Sequence, residues 1–284
     1  MPHKVVNLAV ALSVAIASAG ALLKPFDYKL ASAPQTQPAT PATQSWPNLD
    51  KLRIPDGKLC GLDGAPGGNA ERAAQNRLRN RYHLPQTSFE QLSLENLEKD
   101  LPQGEIGPAQ TIINFPLSVD RNNQRAVAVV GYVTDVLILG CGAADERFTQ
   151  VPPPERKGVE SAGCYVNREY LCTAQITLTS DPELPTSEGR NVYFVNVTRR
   201  SRILAKKNLL VSNIGNDWST YILRDKIKHR WVRFSGWLFF NQNYRDRAWV
   251  TDPDDQIGRP NDRQTAWGIF PVMGIEVVDG PKVP

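Results

Sequence analysis

Apolar and polar positions alternate in five stretches of the second half of the chain. AVAVVGYVTDVLIL (126–139) is the longest, and Gly131 in its middle predicts a bulge or bend. CTAQITLTS (172–180) puts Ala174, Ile176 and Leu178 on one face, and NVYFVNVT (191–198) follows it closely. WVRFSGWLFF (231–240) again has a central glycine, Gly236. The fifth stretch, QTAWGIFPVMGIEVV (264–278), is interrupted by Pro271. Proline removes a ladder hydrogen bond and is tolerated at an edge or a bulge. The strand should change face there, so that Trp267, Ile269, Val272, Ile275 and Val277 can all help pack a core. Between the third and fourth stretches the period becomes helical. DWSTYILRDKIKH (217–229) can turn Trp218, Tyr221, Ile222 and Ile227 toward a core.

Strand, strand, strand, helix, strand, strand is the element order of the OB-fold, in which a helix plugs a five-stranded barrel. Mid-strand glycines suit it, because strands wrapping a small barrel must bend. The expected fold class is therefore mainly β, an OB-like β-barrel at 124–284 with short helices. Residues 51–123 read as an extension that packs on it. Within that extension, Asn69 can cap a helix running to Tyr82, with Leu78 and Tyr82 on one face, and Pro85 ends it. FEQLSLENLEK (89–99) predicts a second short helix burying Phe89, Leu92 and Leu97. Residues 51–68 are a Gly/Pro-rich loop, and 140–170 and 241–263 are polar loops. Residues 199–216 read as an irregular basic connection.

The first 50 residues have a different character. MPHK precedes the apolar run VVNLAVALSVAIASAGALL (5–23), so 1–24 read as a signal peptide or a transmembrane anchor. Ala17-Ser18-Ala19 offers a cleavage site. Retained, the run would reach roughly 28 Å, about one hydrocarbon thickness. A Pro/Ala/Thr-rich linker fills 25–50, and such composition stays extended. A spacer of this kind is useful between a membrane and a folded head, which favours the anchor. The head would then face the periplasm from a bacterial inner membrane; the alternative is a secreted or periplasmic protein after cleavage.

The chain has 284 residues, 41% hydrophobic and 22% charged, with a formal net charge of +4. That mild excess permits contact with anionic lipid, nucleic acid or an acidic partner without selecting one. The four cysteines, Cys60, Cys141, Cys164 and Cys172, include no CxxC, which argues against zinc ribbons and thioredoxin-type motifs. Behind an export signal they are disulfide candidates, with Cys164 and Cys172 the nearest pair in sequence.

Several stretches in order, NRLRNRYHLP (76–85), AVAVVGYVTDV (126–136), ESAGCY (160–165), VNVTRRSR (195–202), VRFSGWLFF (232–240) and TAWGIFPVMGIEV (265–277), carry a resemblance. Together the chain resembles, over roughly 70–278, an uncharacterised family of exported bacterial proteins with an OB-like, staphylococcal-nuclease-like domain. The resemblance implies an acid and a His where this chain has Gly268 and Phe270. It implies a Cys-His pair where Cys164-Tyr165 stands, an acid-x-His near Ala174 and Ile176, and an acid near Asn196. If those groups make a metal or hydrolytic site, this chain lacks most of it.

The remaining chemistry is sparse. His3, His83 and His229 are not spaced as ligands. A nuclease of this fold would need carboxylates around a divalent cation, and Asp135, Glu160 and the DPDD run at 252–255 are the candidates. No GxSxG and no Gly-rich phosphate loop is present. We therefore expect no catalytic residue, no metal and no cofactor. Two basic clusters are the candidate binding residues: Arg199, Arg200, Arg202, Lys206 and Lys207, then Arg224, Lys226, Lys228 and Arg230. An OB-fold can pair such charge with exposed aromatics such as Tyr193, Trp237 or Trp267. Trp237 and Trp267 sit mid-strand, where a core role is favoured. An exported chain also meets little nucleic acid. The expected function is a membrane-tethered, non-catalytic binding or scaffold module, an accessory subunit of a larger membrane complex. The alternatives are an exported metal-dependent nuclease or phosphodiesterase, and a soluble OB module binding oligosaccharide or nucleic acid.

Overall fold

Alternation becomes geometry in five strands: β1 (Ala126–Ile138), β2 (Ala174–Thr179), β3 (Tyr193–Val197), β4 (Trp231–Phe240) and β5 (Trp267–Val277). The computed structural model describes residues 46–53, 59–64, 70–103, 119–138, 158–159, 165–166, 172–249 and 261–280. β1 pairs antiparallel with β2, and β2 with β3. β3 runs parallel to β5 at Val195–Ile269, and β5 is antiparallel to β4. β4 returns antiparallel to β1, so the ring closes in the order β1-β2-β3-β5-β4-β1. This is a closed five-stranded mixed barrel with the OB order read from the sequence.

One strand must serve two neighbours for the ring to close. Ala126–Tyr132 of β1 pair with β4, and Tyr132–Ile138 pair with β2. Gly131 sits at this switch, where an added Cβ would lie 3.0 Å from Leu94 Cδ1 and 3.1 Å from Leu178 Cβ. The bulge itself comes later, where the register slips between Val133 and Asp135.

β5 changes face as its proline requires. Trp267, Ile269, Val272 and Ile275 join the core, a spacing of two and then three. Opposite them Ser235 pairs with Gly274, Gly236 with Val272 and Leu238 with Ile269, so β5 carries the extra residues. The bulged backbone presses on β4: a Cβ at Gly236 would lie 2.3 Å from the Pro271 carbonyl oxygen. Trp267 is 1% exposed, and its indole N–H donates to the Pro102 carbonyl at 2.8 Å. Glu276 has a cross-strand partner, Arg233, at 3.9 Å.

Helices accompany the barrel, among them α1 (Ala70–Arg79), α2 (Asn96–Lys99), α3 (Arg199–Lys206) and α4 (Thr220–Ile227). α4 and the residues leading into it plug the barrel, with Trp218, Leu223 and Ile227 in the core. Tyr221, expected inward, is 58% exposed, because the helix starts only at Thr220 and the i,i+4 pair facing the barrel is Leu223 and Ile227.

Two segments form other elements than expected. Residues 89–99 are not one helix: Glu90–Leu92 form a strand parallel to Val127–Val129, and only Asn96–Lys99 are helical. The open edge of β1 offers ladder bonds that outweigh helical propensity there. Residues 199–216 are not irregular: they hold α3 and then Val211–Ser212, a strand parallel to Gly274–Ile275. Thr198 starts α3, its hydroxyl accepting the Ser201 N–H at 3.1 Å.

The extension is fastened to this frame through Leu94, Leu97 and Leu101, which join the core. Arg81 donates to the carbonyls of Leu78, Asn123 and Leu238 and stacks 4.7 Å over the Trp237 ring. Burial without a carboxylate lowers its pKa to about 10. Residues Pro47–Pro284 form one compact unit. Among the described residues no helix is long and apolar enough to cross a membrane, and the run at 5–23 lies outside them.

Candidate functional site

Helix α3 has three faces with different neighbours. Leu204 and Ala205 are buried. Arg200 is buried on another side, donating to the carbonyls of Leu49 at 3.2 Å and Cys60 at 3.1 Å and to Asn80 Oδ1 at 2.7 Å. The third face carries Arg199, Arg202, Ile203 and Lys206, at helical positions i, i+3, i+4 and i+7. It lines a cleft of about 670 Å³ whose opposite wall is Asn216, Asp217, Trp218 and Ser219.

The cleft is built rather than incidental. Arg202 is only 9% exposed and is held by the Thr220 hydroxyl at 2.8 Å. Arg199 donates to the Arg53 carbonyl at 2.6 Å, tying the same face to the extension. Lys206 stands exposed at the helix end. Across the cleft the Asp217 carboxylate accepts the Ser219 N–H at 2.9 Å. The Trp218 indole N–H donates to the Gly215 carbonyl at 3.3 Å. Ser219 caps α4 without a side-chain bond to the helix, so the first-turn amides add positive potential to that wall. Arg199, Arg202 and Lys206 thus stand across the cleft from Asp217, with the apolar side chains of Ile203 and Trp218 in the facing walls. Its one hydroxyl, Ser219, has no imidazole beside it among the lining residues.

The sequence-predicted binding residues separate into groups. Arg199, Arg202 and Lys206 come together in the cleft. Arg200 does not: it is 0% exposed and serves as an internal fastener. Arg202 is likewise mostly interior, and only its edge of the cleft is open. Lys207 is exposed at the helix end, outside the cleft lining. Arg224 turns to the Val136 carbonyl at 2.8 Å, and Lys228 pairs with Asp135 at 3.0 Å. Both are thus engaged with β1, because α4 packs its C-terminal half across that strand. Lys226 and Arg230 are exposed.

The aromatic residues do not form an open platform. Tyr193 and Trp267 are inside the barrel. Trp237 is on its outside, contrary to a core role, and is covered by Arg81 and bonded to the His83 carbonyl at 3.2 Å. It alternates with Phe234 and Leu238 and so takes the outer face. Ile203, Asp217, Trp218 and Ser219 were missed as site residues. The i, i+3, i+4, i+7 stripe would have signalled the Ile203 wall had α3 been recognised.

Among the described residues no group of three or more His, Cys, Asp and Glu could hold a metal. Glu160, the DPDD run and His3 lie outside them. Cys60 and Cys172 are fully buried and neither is a free thiol; Cys141 and Cys164 lie outside the described residues. Ala174 and Ile176, where the resemblance would place an acid and a His, fill the core. Gly268 is spatially constrained, since a Cβ there would lie 2.4 Å from the Phe194 carbonyl oxygen. No protein family, no curated protein and no solved structure matches the chain.

Proposed function

We propose that this protein is a non-catalytic binding module, tethered by its N-terminal run to the outer side of a bacterial inner membrane, that holds a partner subunit through the α3 cleft. The cleft carries the reading: three cations on one helical stripe, two of them fixed by bonds to neighbouring segments, face an open hollow of about 670 Å³. The apolar run at 5–23 and the Pro/Ala/Thr-rich spacer supply the tether. An OB-like barrel closed through its whole ring gives the cleft a rigid base, which lowers the ordering cost of binding. Export also places the cysteines where thiols oxidise, and the buried, non-free Cys60 and Cys172 suit that compartment. The likeness to exported OB-like proteins belongs to the same proposal.

The test is extraction of the full chain from membranes in mild detergent, followed by purification. A stoichiometric partner should co-purify, and the double variant Arg199→Gln, Lys206→Glu should lose it while remaining folded. Recovery of the wild-type chain as a free, detergent-independent protein sinks the proposal.

A further inference from the structure

Helix α1 brings a cation onto the outer face of the barrel. Phe239 of β4 alternates with the core residues Leu238 and Phe240 and so points outward. There it packs edge-on against Phe270, with ring centres 5.5 Å apart. The Arg79 guanidinium lies over the Phe239 ring, 5.2 Å from its centre. Its hydrogen bonding is poor: Nη2 reaches Asn241 Oδ1 at 3.4 Å, and the buried Nε has no partner. Among the described residues no carboxylate pairs with it. Burial lowers its pKa; the nearby Tyr244 opposes that shift and Arg72 adds to it. Arg79 ends α1, where the helix dipole favours a cation, but among the described residues no helix carbonyl takes its N–H groups. One turn earlier on the same face stands Gln75, whose Oε1 is also buried without a partner.

A cation taken out of water is costly unless something pairs with it. We propose that Arg79 and Gln75 form an oxyanion site on this face of α1, taking a single carboxylate- or phosphate-type group. The Phe239 ring covers one face of the guanidinium and leaves its donor edge for in-plane bonds. That is the geometry in which arginine holds carboxylate and phosphate oxygens. The Gln75 carboxamide adds a second bond. Turned one way its amide N–H donates to the anion; turned the other, its oxygen accepts from a protonated oxygen of the ligand. A cationic ligand would meet Arg79 and Arg72 as like charges, and an apolar one would leave Nε and Oε1 unpaired. Both side chains are half-buried rather than sealed, so a small anion reaches them from the surface. The α3 cleft shares no residue with this site, so the two proposals stand or fall separately.

The full chain in neutral nanodiscs is melted in low-salt buffer with increasing phosphate, acetate or chloride, and again in nanodiscs containing phosphatidylglycerol. Phosphate or acetate should raise the melting temperature along a saturating curve that chloride does not reproduce. Arg79→Met should abolish that rise. Because it removes an unbalanced buried charge, it should melt no lower than the wild type when no oxyanion is present. Gln75→Leu should weaken the apparent affinity by about two- to tenfold, the worth of one hydrogen bond. Arg77→Met removes the same charge from the same helix, but that guanidinium is exposed and paired with Asp63, so the rise should persist. A rise with the free anions in neutral discs assigns a soluble oxyanion. A rise with phosphatidylglycerol alone, lost in Arg79→Met, assigns a lipid phosphate to the same two side chains. The proposal is overturned by no saturating rise in any arm, an equal rise with chloride, or a rise that survives Arg79→Met. Unchanged affinity in Gln75→Leu or loss of the rise in Arg77→Met also overturns it. So does a lower oxyanion-free melting temperature in Arg79→Met, which would show Arg79 to be a structural bond.

Discussion

Tyr193 opens β3 and points into the barrel, 3% exposed. Burial raises its pKa above the ordinary value of 10, and the carboxylates of Glu98 and Glu95 push the same way. In the unfolded chain the phenol ionises near pH 10, while in the fold it stays protonated. The stability tied to this group is therefore complete below about pH 10 and lost as pH rises further. Tyr193→Phe should flatten the fall in urea midpoint between about pH 9 and pH 11, where ordinary tyrosines ionise; an unchanged slope refutes the assignment. Other residues report on packing. Trp267→Ala should cost about 3–5 kcal/mol through its cavity and the lost bond to Pro102. Gly236→Ala should cost about 1–3 kcal/mol or more, since the new methyl meets backbone rather than a movable side chain. Glu276→Gln should change stability by less than about 1 kcal/mol, because its 3.9 Å contact with Arg233 is partly exposed. Melting curves for the three variants should rank them in that order.

At the level of elements, Arg200 is the rivet between α3 and the extension. Arg200→Leu strips a donor from two buried carbonyls, those of Leu49 and Cys60, at about 1–3 kcal/mol for each orphaned group. Hydrogen exchange should speed up over residues 47–60 while the barrel strands keep their protection; uniform acceleration would mean the rivet holds the barrel itself. The elements also show which parts of the fold could be read in advance. The five strands and α4 carry their own period, and a buried face of period two leaves little choice of register. Residues 89–99 carry a helical pattern, but the free edge of β1 selects Glu90–Leu92 as a strand. α3 was hidden for the opposite reason. Four of its eight residues are Arg or Lys, a composition that reads as a solvated loop. Only Thr198 as cap and the buried Leu204 and Ala205 mark it as a packed helix. The cleft was half legible on the same account: its cations stood out as a cluster, but their division between interior and cleft depends on the helical phase, and the facing wall on tertiary placement.

Taken whole, the molecule joins a low-complexity N-terminal stretch to one folded unit beginning at Pro47. If the head matures outside the cytoplasm, the cysteines should be oxidised. Mass spectrometry of alkylated, unreduced protein should show Cys60 and Cys172 unmodified, and alkylation of all four cysteines would contradict export. The fastening of Leu49 has a mechanical meaning too. Tension on the chain ahead of Pro47 first meets the Leu49 N–H bond to the Tyr82 hydroxyl and the Arg200 bond to its carbonyl. Neither is a rung of the barrel ladder. A pull should therefore peel the extension from α3 first and break the barrel later, in two separate force steps in an optical trap; a single rupture would show the load passing straight into the strands. Because α3 carries the rivet on one face and the cleft on another, the grip on a partner proposed above would slacken under strain before the head unravels, and the helix would act as a mechanical fuse.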